Sequence, residues 1–117
     1  MKGRIPDKIR LHHILDAIKN IENFSATKIK EDLYNDLMYR FSVERQLEII
    51  GEAANNLEPS LYDQHPEILW EKIISFRNLL AHEYFGLDLE LIWGIITTNI
   101  PDLKKGIQQI LDRDYSN

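Results

Sequence analysis

The chain has 117 residues, enough for one domain with one hydrophobic core, and it has no cysteine, which excludes disulfide scaffolds and thiolate zinc sites. Its formal net charge of −5 is not typical of a nucleic-acid-binding domain. It lacks an apolar leader and any run of about 18 apolar residues, so we expect a cytoplasmic protein with no membrane association.

The charge is unevenly distributed along the chain. Residues 1–30 contain seven Lys and Arg against three Asp and Glu, a net +4, so the remaining residues carry −9. One interpretation is a solvated surface with some polarity. The other is a basic rim that meets a polyanion or an acidic partner.

Apolar residues recur at helical spacing along nearly the whole chain, which predicts an all-α fold. The pattern predicts a first helix over residues 7–22 and one or two loose turns in 26–35. A long helix is expected over 36–57, and a shorter one over 70–82 after a polar loop. Asp88 begins the last long helix. Four main helices with short connections predict an up-down bundle.

Four positions within these helices carry further expectations. Gly51 is small, so a neighbouring helix can approach the long helix closely at its level. Glu52 beside it either faces solvent or faces the arginine of the motif described below. Pro101 lies inside the last helix, where we expect a kink or a break. His13 is adjacent to His12, so the two side chains diverge by about 100° and suit solvated or capping roles better than a metal site.

Four polar side chains that could take part in catalysis or binding lie within eight residues: Arg77, Asn78, His82 and Tyr84. On a helix, Asn78 and His82 share a face, whereas Arg77 and His82 are about 140° apart. Arg77 and His82 can therefore converge only through the long arginine side chain, an unwound helix end or a second copy of the chain. This spacing favours a site at a helix end or a dimer seam.

These residue types suit phosphate chemistry. An imidazole exchanges protons near neutral pH, and a guanidinium binds and neutralises a phosphate. RNA supplies its own nucleophile, the 2′-OH, so a base and a cationic clamp are sufficient for cleavage without a metal. No His-x-x-x-His or Glu-x-x-His pattern lies near the motif, so we expect no metal and no cofactor. The alternative is that Arg77, Asn78 and His82 only cap helix carbonyls and pair with acids.

Four segments resemble the HEPN-domain toxins of HepT type: LEIIGEA (residues 47–53), HPEILW (65–70), RNLLAHEYF (77–85) and LDLELIW (87–93). The resemblance implies that residues 1–117 form a single HEPN-like helical domain. It also implies a homodimer with its site in the cleft between protomers.

The resemblance further assigns roles to individual residues. Arg77 and His82 would be the catalytic pair of a metal-independent endoribonuclease acting on RNA, with Asn78 positioning one of them. Glu52 would hold Arg77 in place. Tyr84 corresponds to the tyrosine on which a cognate minimal nucleotidyltransferase antitoxin places AMP, which blocks the toxin; alternatively, Tyr84 is an aromatic lid over the helix end.

Two other functions remain open from the sequence. One is a non-catalytic HEPN subunit that binds a nucleotide or a nucleotidyltransferase partner through the same cleft. The other is a dimeric bundle with a purely structural role.

Overall fold

The computed structural model describes residues 5–79 and 88–115, and these form helices joined by short connections, with no β-strand in either range. The helices are α1 (Asp7–Ser25), α2 (Asp32–Asn35), α3 (Leu37–Asn55), α4 (Pro59–Gln64), α5 (Trp70–Ser75), α6 (Leu89–Gly94) and α7 (Ile100–Asp114). A 3₁₀ turn over residues 76–79 continues α5, and a π-helical turn (Ile95–Asn99) joins α6 to α7. The predicted all-α fold is confirmed.

The first and third helices form an antiparallel pair at the centre of the bundle. At one end of the pair the hydroxyls of Ser25 and Tyr39 lie 2.7 Å apart, and at the other the backbone N–H of Glu58 donates to the carboxylate of Asp7. The two helices share a core made by the apolar stripe of each. The buried residues of these stripes are Leu11, Ile14, Ala17, Ile18 and Ile21 on α1 and Val43, Leu47, Ile50 and Ala54 on α3.

The start of α3 agrees with the sequence prediction because Asp36 caps it. One carboxylate oxygen of Asp36 accepts a hydrogen bond from the backbone N–H of Tyr39, and the other accepts one from Lys28 Nζ at 2.9 Å. The bond from Lys28, followed by that from Tyr39, holds the pKa of Asp36 below its ordinary value. These contacts tie the connection that precedes α3 to the helix itself.

The last helical stretch runs without leaving the helix from α6 through the π turn into α7. Asp88 caps its start by accepting from the backbone N–H of Leu91 at 3.1 Å. Pro101 cannot donate to the helical ladder, and the wider π turn lies directly before α7 and accommodates this irregularity. The expected irregularity is therefore present as a π turn, not as a break. The buried side of this stretch consists of Leu89, Ile92, Ile95, Ile96, Ile100, Leu103, Ile107 and Ile110.

The region between α3 and α5 is more ordered than the polar loop that the sequence predicts. Pro59 opens the short helix α4, for which its fixed φ and missing N–H are suited. The hydroxyl of Tyr62 donates to the carbonyl of Ala54 at 2.6 Å, so α4 folds back on the end of α3. The polar loop was predicted over residues 62–67, and this was wrong for 62–64, which belong to α4.

His65 binds the connection between α4 and α5 to the C-terminal end of α7. Its side chain is 3% exposed, and Nε2 lies 2.9 Å from a carboxylate oxygen of Asp114. The indole N–H of Trp70 donates to the carbonyl of His65 at 2.9 Å. The segment that leads into α5 is thus held against α7.

The α-helix observed in the region predicted as a helix over residues 70–82 covers only Trp70–Ser75. Trp70 and Ile73 are buried, and α5 ends at Ser75 and tightens into the 3₁₀ turn. Residues 80–82 lie outside the described part of the chain. None of the helices in the described ranges combines the length and apolar character needed to cross a membrane.

Candidate active-site cleft

The backbone of Arg77 lies directly against α3 at Gly51. A Cβ atom at residue 51 would lie 2.4 Å from the backbone nitrogen of Arg77 and 2.9 Å from the carbonyl oxygen of Ile74. No side chain fits at such separations, so only glycine permits this crossing. The close approach expected from the size of Gly51 is confirmed, and it brings Arg77 against the long helix α3.

The side chain of Arg77 borders a cleft of about 400 Å³ bounded by α1, α3 and the 3₁₀ turn. The cleft combines basic, acidic and apolar groups. Its lining residues are Arg10, His13, Arg45, Glu48, Ile49, Glu52, Ala53 and Arg77.

The cleft is more basic than the chain as a whole. Three arginines and two glutamates line it, a formal +1 with neutral histidine, whereas the whole chain carries −5. Arg45 Nη1 donates to Glu48 Oε1 one turn away on α3, so these two charges largely offset each other. What remains is Arg10 and Arg77 against Glu52.

Two of the arginines have a nitrogen that is buried and unpaired. The Nε atoms of Arg10 and Arg77 are shielded from solvent, and neither has a hydrogen-bond partner within the described ranges. A buried donor left unpaired costs on the order of 1–3 kcal/mol. An anion with several acceptor oxygens, such as a phosphate, would satisfy these donors and the charges that accompany them.

Glu52 lies in the same cleft as Arg77, as one of the two sequence interpretations requires. The residue is exposed, and one of its carboxylate oxygens accepts a long bond of 3.3 Å from Asn56 Nδ2. In the described part of the chain, residues 5–79 and 88–115, Glu52 and Arg77 form no ion pair with each other. Its predicted role in holding Arg77 therefore stays a prediction.

The remaining motif residues are placed less fully. Asn78 follows Arg77 on the 3₁₀ turn, is exposed, and does not line the cleft. His82 and Tyr84 lie outside the described residues, so their predicted roles stay predictions. In the part of the chain that is described, no group of three or more His, Asp or Glu side chains is arranged to hold a metal ion.

Sequence reasoning missed Arg10, His13 and Arg45 as residues of the cleft. Arg10 and His13 are i, i+3 on α1 and flank its buried stripe, which is the one local signal that they share a face. Nothing in the spacing shows that this face meets Arg77, because that depends on how α1 and the 3₁₀ turn pack on α3. Arg10 comes from the basic N-terminal third, so the structure favours a basic rim at this point.

An all-helical bundle with an arginine-lined cleft next to an Arg-x4-His-x-Tyr sequence defines a HEPN-like helical domain. Comparison with known families gives the particular family: the model described as ribonuclease HepT-like matches residues 14–110. The chain therefore belongs to the ribonuclease HepT-like family, as the sequence motifs predicted.

Individual relatives agree with this assignment. A Thermococcus cleftensis protein named "probable ribonuclease HepT" is 38% identical over 100 residues, which is 86% of this chain and 91% of that protein. A "putative RNase" of Caldanaerobacter subterraneus is 35% identical over 108 residues, 89% of this chain and 93% of that protein.

One relative is about twice as long as the matched region. A Methanocaldococcus jannaschii protein named "gamma-glutamylcyclotransferase and putative RNase" is 36% identical over 113 residues, 94% of this chain but 51% of that protein. The chain thus spans about half the length of this relative. No solved structure matches the chain.

Proposed function

We propose that this chain is the ribonuclease toxin of a toxin–antitoxin pair and cleaves RNA internally without a metal. The observation that carries the proposal is Arg77: its backbone is packed on Gly51, and its buried Nε is unpaired at the wall of a cleft. An arginine held in this way suits binding of a phosphodiester. The names of the relatives support RNA as the substrate.

The proposed reaction uses the nucleophile that RNA itself provides. The 2′-hydroxyl loses its proton to a base, and its oxygen attacks the adjacent phosphorus. The bond from phosphorus to the 5′ oxygen breaks, and that oxygen takes a proton, leaving a 2′,3′-cyclic phosphate. Arg77 stabilises the negative charge that accumulates on the phosphoryl oxygens, His82 transfers a proton, and Asn78 positions one of these groups.

We place the complete site at a homodimer cleft. Support comes from Met38 and Phe41, which are 82% and 47% exposed and lie on the same face of α3 as Arg45 of the cleft, at i, i+3 and i+7. An exposed apolar surface that continues into a charged cleft suits a second protomer. Sedimentation of the purified protein at micromolar concentration tests this: a species of 13.8 kDa alone would contradict it.

The direct test of the activity is cleavage of a labelled single-stranded RNA by the wild type, His82→Ala and Arg77→Ala. Each variant should lose at least about 100-fold in rate, the scale of a lost proton-transfer or charge-stabilising group. Lys19→Ala serves as the control, because Lys19 is exposed on α1 and does not line the cleft. Undiminished cleavage by His82→Ala would contradict the catalytic assignment.

Regulation of the toxin is proposed to run through Tyr84, which a partner nucleotidyltransferase modifies with AMP. Tyr84 is two residues after His82 in the sequence, and phosphate and adenine added there would repel and obstruct RNA. Intact mass after co-expression with the partner should increase in AMP-sized steps, and Tyr84→Phe should abolish the increase. Tyr34→Phe is a matched control, since Tyr34 is an exposed tyrosine on α2, outside the motif. An increase that persists in Tyr84→Phe would assign the modification to another residue.

A further inference from the structure

We propose that Arg10 is a second substrate-binding residue of the cleft, and that Arg10 and Arg77 bind two phosphates of one RNA strand. This inference rests on the proposed ribonuclease function and adds a residue that lies outside the Arg-x4-His-x-Tyr motif. Arg10 belongs to α1, whereas Arg77 belongs to the turn after α5. The cleft thus presents guanidinium groups from two separate elements.

The two arginines have the same local environment. In each, Nε is buried and lacks a hydrogen-bond partner among the described residues, and each borders the same cleft of about 400 Å³. A guanidinium binds a phosphate through a pair of parallel N–H donors, which can include Nε. Arg40 also has a buried Nε without a hydrogen bond, but it lies outside the cleft and is paired with Glu44. In the part of the chain that the structure describes, the combination of this feature with the cleft is therefore particular to Arg10 and Arg77.

Among the described residues no ion pair joins Arg10 to an acid, although Glu48 and Glu52 line the same cleft. Glu48 is bonded to Arg45, and Glu52 accepts its bond from Asn56. The positive charge of Arg10 therefore remains available to a ligand in the cleft.

A phosphodiester chain fits these observations better than an acidic protein segment. The carboxylates of Glu48 and Glu52 in the cleft repel any anionic ligand, so the choice between the two rests on how the ligand spaces its charges. A nucleic-acid backbone presents its phosphates in succession and so can engage two arginines on separate elements. Bases can rest on the apolar side of the cleft at Ile49 and Ala53.

The test measures binding of a labelled single-stranded RNA to the full-length protein in a His82→Ala background, which prevents cleavage. Arg10→Gln removes the charge at similar length, Arg10→Lys keeps the charge without the guanidinium, and Lys19→Ala is the control. We expect about a tenfold loss of affinity for Arg10→Gln. The slope of log K against log salt should also become shallower by about 0.7, the contribution of one phosphate contact on a single strand.

The other variants separate charge from geometry. Arg10→Lys should restore the salt slope but only part of the affinity, since lysine binds phosphate as a point charge. Lys19→Ala should match the parent protein in both quantities. Thermal unfolding of each variant shows whether a loss of affinity is caused by a loss of folded protein. If it is, the molecules that remain folded should still bind RNA with the salt slope of the parent protein.

Three outcomes would overturn the inference. Wild-type affinity and slope in Arg10→Gln would show that Arg10 does not contact RNA, while cleavage by the wild-type enzyme would leave the proposed function intact. If Arg10→Gln instead weakens only binding of the nucleotidyltransferase, Arg10 belongs to a protein interface. If the wild type neither binds nor cleaves RNA, the proposed function fails together with the inference.

Discussion

Replacing Gly51 with alanine tests the crossing that places Arg77. The added Cβ would lie 2.4 Å from the backbone nitrogen of Arg77, and ordinary contact begins at 3.4 Å, so α3 and the turn must separate by about 3.4 − 2.4 = 1.0 Å. The opposing atoms at Arg77 and Ile74 are backbone and cannot rotate aside. The strain must therefore be relieved by moving one element.

The expected free-energy change follows from two opposed effects. Overpacking a well-packed site costs about 1–3 kcal/mol, and a backbone clash belongs near the upper end. Alanine recovers about 1 kcal/mol of helix propensity relative to glycine. The net destabilisation is about 1–2 kcal/mol, which for a domain of this size lowers the melting temperature by roughly 4–8 °C.

Gly94 supplies the matched control. It also lies in a helix, α6, but a Cβ there would meet no atom within 4 Å. Gly94→Ala should therefore gain helix propensity without strain and raise the melting temperature by roughly 2–5 °C. The two glycine-to-alanine changes are chemically identical, so opposite shifts would isolate the effect of the crossing.

The assay is thermal unfolding monitored by circular dichroism, followed by RNA cleavage at a temperature where both variants are folded. Displacement of Arg77 by about 1 Å is expected to lower the cleavage rate by about 100-fold. If Gly51→Ala melts at or above the wild type, the close approach is refuted. If it melts lower but cleaves RNA at the wild-type rate, the position of Arg77 does not depend on this crossing.

Two further predictions concern contacts outside the cleft. His65→Ala should destabilise the fold by about 1–3 kcal/mol in thermal unfolding, because it removes a buried side chain bonded to Asp114. The control, His12→Ala, changes an exposed side chain and should stay within about 0.5 kcal/mol of the wild type. Equal effects of the two substitutions would contradict the anchoring role of His65. Glu90 has a lowered pKa, chiefly through its bond from Lys30. A carboxylate whose pKa is lowered by folding stabilises the protein at pH values above its ordinary pKa, and this stabilisation is lost as the pH falls through the pKa of the folded state. The wild type should therefore melt at a higher temperature than Glu90→Gln at pH 7, but not near pH 3. A difference that persists at low pH would refute this linkage.

The helices and their buried faces could be predicted from sequence because burial imposes a period of 3.6 residues. Leu47 and Ile50 of α3 and Ile107 of α7 are fully buried, as their spacing predicts. The caps at Asp36 and Asp88 fix where α3 and α6 begin, since each side chain accepts a backbone N–H of the first turn. Local chemistry therefore determined these features.

The parts that the sequence did not reveal depend on tertiary packing. The α-helical part of α5 ends at Ser75, although the apolar pattern continues, because the following turn is pressed against α3 at Gly51. Arg10 and Arg77 meet only because α1 and that turn pack on the same helix. Periodicity describes one helix at a time and contains no information about which faces will share a cleft.

The acidic net charge is a poor guide to what this cleft binds. Many acids of the chain are engaged in ion pairs: Glu90 with Lys30, Glu22 with Lys104, and Asp36 with Lys28. Charges beyond about 8–10 Å are screened at physiological ionic strength, so a phosphate in the cleft responds mainly to nearby groups. In the cleft those groups are three arginines, two of them with buried, unpaired Nε atoms, against two glutamates. Affinity for RNA should therefore follow substitutions at Arg10 and Arg77 and respond little to charges that lie more than a screening length from the cleft.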